Sequence, residues 1–157
     1  MDIRIILHNI RSTHNVGSIF RTSDAAGISH VYISGYTPAP IDAFGRKRKD
    51  VAKVALGAED SVSWEKVTHI SKLISDLKKE NFQIIALEQS TKSVDYKKLK
   101  FKAKDKIGII VGNEVKGMSP SLLAQADTVI DIPMRGKKES LNVSVAYGIA
   151  LFRLLNI

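Results

Sequence analysis

Residues 107–157 read IGIIVGNEVKGMSPSLLAQADTVIDIPMRGKKESLNVSVAYGIALFRLLNI, and this stretch decides the fold. Two short apolar runs, 107–111 and 128–132, have the length and composition of buried parallel strands. Each run is followed by a segment that breaks regular structure, GNEVKG at 112–117 and PMRGKKES at 133–140, and then by a helical stretch. These breaks, with the residues just after the second, place Glu114, Ser140, Asn142, Gly112, Gly117 and Gly136 beyond the ends of neighbouring strands. In an open α/β sheet ligands bind there. The chain closes in a helix from Leu141 that is apolar on most sides, so a ligand site is expected where this helix begins.

Working outward, 157 residues suit a single domain with a substantial core, and no internal repeat or domain boundary is visible. With 44% hydrophobic and 25% charged residues, the chain reads as globular rather than disordered. There is no cysteine, hence no disulfide framework, thiol nucleophile or zinc-thiolate site, in keeping with a reducing compartment. No apolar run approaches the ~20 residues of a membrane span. The N-terminus MDIRIILHNI is too short and polar for a signal peptide, so the Asn142-Val143-Ser144 sequon carries no weight and a cytoplasmic location is expected. The net charge of +8 suggests a polyanionic partner. Arg46, Lys47, Arg48, Lys49 and Lys53 form one basic segment. Lys92, Lys97, Lys98, Lys100, Lys102, Lys104 and Lys106 form another. Solvated surface accounts for both; phosphate contact is the sharper reading.

In chain order, residues 3–7 read as a first strand. Asn15 has the chemistry of a helix N-cap, Val16, Ile19, Phe20 and Ser23 form a helical stripe, and Gly27 suits the helix end. Gly17, Arg21 and Asp24 fall on the opposite face. Asn15 and Arg21 can meet if Arg21 folds back towards the helix start. A second strand, 30–34, completes a βαβ unit. The long connection 35–60 contains a short helix over 51–58. Ser63-Trp64-Glu65 leads into a helix carrying Ile70, Leu73, Ile74 and Leu77, and 82–87 is the third strand. Dinucleotide, Walker and nucleophile-elbow motifs are absent, and His8, His14, His30 and His69 lack metal-ligand spacing.

Three blocks then resemble the SpoU (TrmH-type) branch of the SPOUT RNA 2′-O-ribose methyltransferases. They are Asn15-Val16-Gly17-Ser18-Ile19-Phe20-Arg21-Thr22, then Ile110-Val111-Gly112-Asn113-Glu114-Val115-Lys116-Gly117-Met118, and last Ile132-Pro133-Met134 with Glu139-Ser140-Leu141-Asn142-Val143-Ser144-Val145-Ala146. Ala55-Leu56-Gly57-Ala58-Glu59 looks like that family's connector after the second strand, so the resemblance covers nearly the whole chain. It implies a mostly parallel sheet flanked by helices, with a deep C-terminal trefoil knot, an exception to unknotted connections. It also implies a homodimer that shares helices near the site, and S-adenosylmethionine as methyl donor, leaving S-adenosylhomocysteine, with no metal.

By the same resemblance, Leu87, Glu88, Gly112, Asn113, Gly117, Ile132, Met134, Ser140 and Leu141 belong to the cofactor site, in part through backbone groups. Gly112 would admit close approach of the backbone to the cofactor. Arg21 would act on the ribose 2′-hydroxyl, as base or by holding the adjacent phosphate; an arginine is normally always protonated. Asn15 would orient Arg21 or the ribose, Glu114 would fix Arg21 or the knot backbone, and Ser140 and Asn142 would shape the cofactor loop and touch substrate. Read in isolation, Glu114, Ser140 and Asn142 are ordinary cap and turn residues. Arg11, Arg46, Arg48, Lys97, Lys98 and Lys100 are the candidate RNA contacts. The chain is expected to lack N- or C-terminal RNA-binding extensions, so target choice would fall to these residues, a second subunit or an auxiliary protein. The target RNA would be tRNA or rRNA, with tRNA slightly favoured. Two other readings stay open: a non-catalytic RNA-binding relative, and a nucleotide-binding α/β protein of another class.

Overall fold

The computed structural model describes all 157 residues. Its strands are β1 (Asp2–His8), β2 (His30–Ser34), β3 (Ser63–Val67), β4 (Gln83–Leu87), β5 (Val94–Asp95), β6 (Lys106–Val111) and β7 (Thr128–Asp131). Its helices are α1 (Thr13–Ala25), α2 (Lys49–Ala55), α3 (Ala58–Ser61), α4 (Ile70–Lys79), α5 (Pro120–Leu123) and α6 (Val143–Leu155). The strands form one seven-stranded sheet in the order β3-β2-β1-β6-β4-β7-β5. Every pairing in it is parallel.

Alternation along the central strands sorts their side chains onto two faces, as the strand period of two requires. Ile5, Leu7, Ile33, Ile85, Ile109 and Val111 pack with Val16, Ile19, Phe20, Tyr147 and Leu151 of α1 and α6. Ile6, Tyr32, Ile84, Ala86 and Ile110 pack on the other face with Ile74 and Leu77 of α4, and with Met118 and Leu122. Because both faces are covered, β6 reads as a continuous apolar run.

Several sequence-based expectations are corrected. β3 is a strand, not a lead-in to α4. It is an edge strand, and Ser63, Glu65 and Lys66 are exposed, so no apolar signal marks it. At the opposite edge, β5 is only two residues long. The helix expected over 51–58 breaks into α2 and α3, because Leu56 (φ 53°) and Gly57 (φ 94°) take left-handed conformations. α1 starts two residues before Asn15, and Ser12 is its N-cap, accepting from the Asn15 N–H at 3.2 Å. Gly17 does not lie on a free face: a Cβ there would sit 2.8 Å from the Val51 carbonyl oxygen, so α2 covers that side of α1.

The order of strands creates the crevice. From β1 the chain moves out through β2 to β3, returns on the other side at β4, and later inserts β6 between β1 and β4. The connections leaving β1 and β6 therefore part company at the C-terminal edge of adjacent strands, the position where open α/β sheets bind ligands.

Candidate active site

A cavity of about 580 Å³ occupies that edge. Arg11, Ser12 and Asn15 reach it after β1, Leu87, Glu88 and Gln89 at the end of β4, and Gly112, Asn113, Glu114 and Val115 after β6. Asp131, Ile132 and Met134 follow β7, and Ser140, Leu141, Asn142, Val143 and Ala146 lead into α6.

One chain of hydrogen bonds ties these segments together. The Glu114 carboxylate accepts from the backbone N–H groups of Arg11 and Ser12, each at 3.0 Å, and from Asn15 Nδ2 at 2.9 Å. Asn15 Oδ1 accepts from Asn142 Nδ2 at 3.1 Å. Asn142 Oδ1 in turn caps α6, accepting from the Ser144 and Val145 N–H groups and the Ser144 hydroxyl. The direction of the chain is fixed at both ends. An ionised carboxylate only accepts and a backbone N–H only donates, so each asparagine has one allowed amide orientation. Burial pushes the Glu114 carboxyl upward, but the hydrogen bonds from Arg11, Asn15 and Ser12 outweigh it and the net shift is downward. Glu114 thus stays ionised and holds the 11–15 segment.

The segment after β6 is braced as tightly. Asn113 is buried, donates from Nδ2 to the Asn9 carbonyl (2.9 Å) and the Tyr36 hydroxyl (2.8 Å), and accepts from the Val115 and Lys116 N–H groups (2.9 and 2.7 Å). Glu88 accepts from the Met118 N–H (2.9 Å) and the Gln89 N–H (3.1 Å). A Cβ on Gly117 would meet Glu88 Oε2 at 2.6 Å, and one on Gly112 would meet Met118 Cγ at 2.5 Å. Gly112 is therefore required by the packing of Met118. Below the α1 side, Ser23 and Tyr147 share a 2.7 Å hydrogen bond that joins α1 to α6, and burial raises the Tyr147 pKa, partly offset by Ser23.

Of the residues expected from sequence, Asn15, Leu87, Glu88, Gly112, Asn113, Glu114, Ile132, Met134, Ser140, Leu141, Asn142 and Arg11 all line the cavity. Gly117 supports it from behind Glu88. Arg21 does not line it. Six residues beyond Asn15, it lies about 240° further round the helix and roughly 9 Å along it, on an exposed position. Glu114 accordingly fixes the backbone of Arg11 and Ser12 and the amide of Asn15, not Arg21. Lys97, Lys98 and Lys100 are exposed outside the cavity. Arg46 and Arg48 are paired within the chain to Asp42 (2.8 Å) and Asp50 (3.1 Å). Sequence reading missed Ser12, Gln89, Val115, Asp131, Val143 and Ala146. All but Ala146 flank a residue it identified, and Ala146 lies one helical turn beyond Asn142, so neighbourhood was the available signal.

Residues 2–152 match the model of the SpoU rRNA methylase family. The chain is 37% identical over 150 residues to an uncharacterized tRNA/rRNA methyltransferase of Mycoplasma pneumoniae, the MG252 homologue, covering 94% of this chain and 58% of that one. It is 35% identical over 151 residues to the tRNA (guanosine(18)-2′-O)-methyltransferase of Aquifex aeolicus, covering 96% of this chain and 67% of that protein. Among solved structures, an AdoMet-bound rRNA methyltransferase from Sinorhizobium meliloti superimposes with a TM-score of 0.88 at 26% identity, over 99% of this chain and 56% of that one. The chain thus spans a little over half to two thirds of the relatives it matches. With motif residues from three separate blocks converging on one cavity, and a family match across nearly the whole sheet, this chain belongs to the SpoU rRNA methylase family.

Proposed function

We propose that this chain transfers a methyl group from S-adenosylmethionine to a ribose 2′-hydroxyl of RNA. The observation that carries the reading is the Glu114–Asn15–Asn142 chain, which draws three sequence blocks around one nucleoside-sized cavity. The lining fits the cofactor. Leu87, Ile132, Met134 and Leu141 offer an apolar surface for adenine, and the carboxylates of Glu88, Glu114 and Asp131 suit a cationic sulfonium. When bound, S-adenosylmethionine supplies a methyl group already activated on positively charged sulfur, and S-adenosylhomocysteine remains.

The protein must then align a weakly nucleophilic hydroxyl and see its proton removed. Glu114 is not the base: its carboxylate is engaged by three donors, and it acts as a positioning residue. Asn15 and Asn142 set the wall against which the ribose lies, and Ser140 stands exposed at the rim. Arg21 faces away from this chain's own cavity, so its role, taking the proton of the 2′-hydroxyl or holding the adjacent phosphate, requires that it reach the cavity of the second copy in the homodimer. Gly112, Asn113 and Gly117 shape the cofactor side.

A trefoil knot belongs to the same reading. β7 lies between β4 and β5, and residues 88–93, which join those two strands, span it. So does one domain over 1–157, since one sheet holds every strand. A homodimer is supported by α6, where Val145, Ile149 and Phe152, at i, i+4 and i+7, stay exposed as an apolar stripe. No helix is long and apolar enough to cross a membrane; work on RNA in the cytoplasm is part of the same proposal. Of the basic residues, Arg11, Lys97, Lys98 and Lys100 are the stronger RNA contacts, because Arg46 and Arg48 already hold acids. Between RNA classes we favour tRNA, the substrate named for the Aquifex aeolicus relative. An auxiliary protein enters only if the purified chain ignores free RNA.

The test is incubation with radiolabelled S-adenosylmethionine and separate pools of undermodified tRNA and rRNA, followed by nucleoside analysis. Label on a 2′-O-methylnucleoside is expected. Absence of both label and cofactor binding would overturn the reading.

A further inference from the structure

Beside the cavity, and sharing Arg11, Asn113 and Val115 with it, lies a second hollow of about 410 Å³ completed by Tyr36 and Lys116. Its features are those of a nucleotide subsite, and two of its residues, Tyr36 and Lys116, lie outside the cofactor cavity. Tyr36 is 58% exposed, yet it is held at both ends. Its hydroxyl accepts from buried Asn113 at 2.8 Å, and its backbone N–H donates to Asn9 Oδ1 at 3.2 Å. A Cβ on the preceding Gly35 would fall 1.8 Å from that same Asn9 Oδ1, so the turn admits only glycine there. An aromatic ring placed in solvent by a rigid turn is a preorganised stacking surface. Val115, 78% exposed, extends the apolar patch. The guanidinium of Arg11 and the ammonium of Lys116 take part in none of the chain's ion pairs, unlike Arg46, Lys47 and Arg48.

We infer that this hollow receives one unstacked nucleotide of the RNA, its base against the Tyr36 ring and its phosphates at Arg11 and Lys116. This rests on the RNA-methyltransferase reading and deepens it. Single-stranded RNA is held in this manner, by base stacking on aromatics and by cations on the backbone. The shared Asn113 links the two hollows: one amide fixes the Tyr36 hydroxyl and also orders the turn that lines the cofactor cavity. A base seated on Tyr36 therefore registers the neighbouring ribose against the cavity mouth.

The experiment measures binding of a 12-nucleotide oligouridylate and of an abasic ribose-phosphate 12-mer to the full chain, across a salt series. The wild type is expected to prefer the base-bearing oligomer by roughly tenfold. Tyr36→Leu should erase that preference without changing the salt slope, whereas Tyr36→Phe, which keeps the ring, should retain most of it. Lys116→Ala should lower affinity for both oligomers and flatten the salt slope by about 0.7, the share of one phosphate contact on a single strand. S-adenosylmethionine binding, followed by calorimetry, serves as the fold control: Tyr36→Leu and Tyr36→Phe both remove the acceptor of Asn113 Nδ2, so the two should bind the cofactor equally, and the role of the ring is read from the difference in base preference between them. Equal affinity of the wild type for the two oligomers, or an undiminished preference in Tyr36→Leu, overturns the inference. Neither result touches the wider reading, which falls only if the wild type also fails to bind S-adenosylmethionine and to label RNA.

Discussion

The two segments that interrupt the C-terminal third are built in opposite ways. In 112–118, Asn113 and Glu114 make seven hydrogen bonds with their side chains, and Gly117 returns its N–H to the Asn113 carbonyl. In 133–140, the one hydrogen bond is from Gln89 Nε2 to the Glu139 carbonyl, at 2.6 Å, and all residues but Met134 are exposed. Both segments follow a strand, fully buried but for its first residue in β6 and half-buried in β7, and border the same cavity. One wall is thus held by the chain itself, and the other makes a single hydrogen bond of its own and is open to further contacts from a ligand. Local stability follows the number of buried polar and apolar contacts, so the two walls should respond differently to mutation, pH and cofactor.

The largest effect is expected at Glu114. Glu114→Ala leaves the part-buried Ser12 N–H and Asn15 amide without their acceptor, while the exposed Arg11 N–H can turn to water; at ~1–3 kcal/mol per stranded donor the loss is about 2–6 kcal/mol. Glu114→Gln should lose less, because its oxygen can keep the Ser12 and Asn15 donors while its NH₂ faces only the exposed Arg11 N–H. Urea unfolding reads the stability, and methyl transfer should fall at least a hundredfold. The pH dependence follows from the depressed carboxyl. The unfolded chain binds a proton more readily, so the stabilisation is complete above the ordinary value of 4.5 and disappears as the pH falls through the lower folded value. The Gln variant should lack that acid-side component. A wild-type stability indifferent to acid would deny the carboxylate its bracing role.

Next comes Gly112. Gly112→Ala should cost about 1–3 kcal/mol by driving Met118 from its place. Met118→Ala in the same chain should recover part of that loss, since the clash is with a flexible side chain. Additive losses in the double mutant would show that the glycine serves another purpose, such as close approach of a cofactor.

Asn142, where the loose wall meets α6, separates two roles. Asn142→Ala should cost about 1 kcal/mol as a lost cap. Asn142→Asp keeps an oxygen for the Ser144 and Val145 N–H groups but has no donor for Asn15 Oδ1. Its melting temperature should stay near wild type while methyl transfer falls. Equal activity in the Asp variant would mean that the link to Asn15 is unimportant.

These residues also show what sequence could and could not disclose. The buried strands, α1 and α6 declare themselves through apolar runs and periodicity, and the crevice follows from their parallel order. The edge strands do not: β3 carries Ser63, Glu65 and Lys66, and β5 has two residues. Motif resemblance identified which residues converge on the cavity, but not who holds whom. Asn15 reads as a cap in the sequence and is instead the buried middle of a relay, because Ser12 takes the cap and a carboxylate 99 positions away takes the amide. Arg21 was placed near Asn15 by folding it back, whereas helical phase carries it to an exposed face. Tyr36 left no signal in sequence, since its role depends on Asn113, 77 positions distant.

The smallest thermodynamic effect is expected in the loose wall, and it is the sharpest test of the contrast. A Cβ on Gly136 meets nothing within 4 Å, so Gly136→Ala should change stability by less than about 0.5 kcal/mol. The same openness leaves Arg135, Lys137 and Lys138 accessible to trypsin, whereas the backbone around exposed Lys116 is held by Asn113. Limited proteolysis should therefore cut first within 135–138, and S-adenosylmethionine should slow that cut while leaving digestion elsewhere unchanged. Ordering of 133–140 by the cofactor requires this protection, because a segment with one hydrogen bond of its own can gain rigidity only from what it closes on. Cleavage at Lys116 ahead of 135–138, or no protection at saturating cofactor, would mean that the two walls are equally ordered and that the cavity is complete in the free chain.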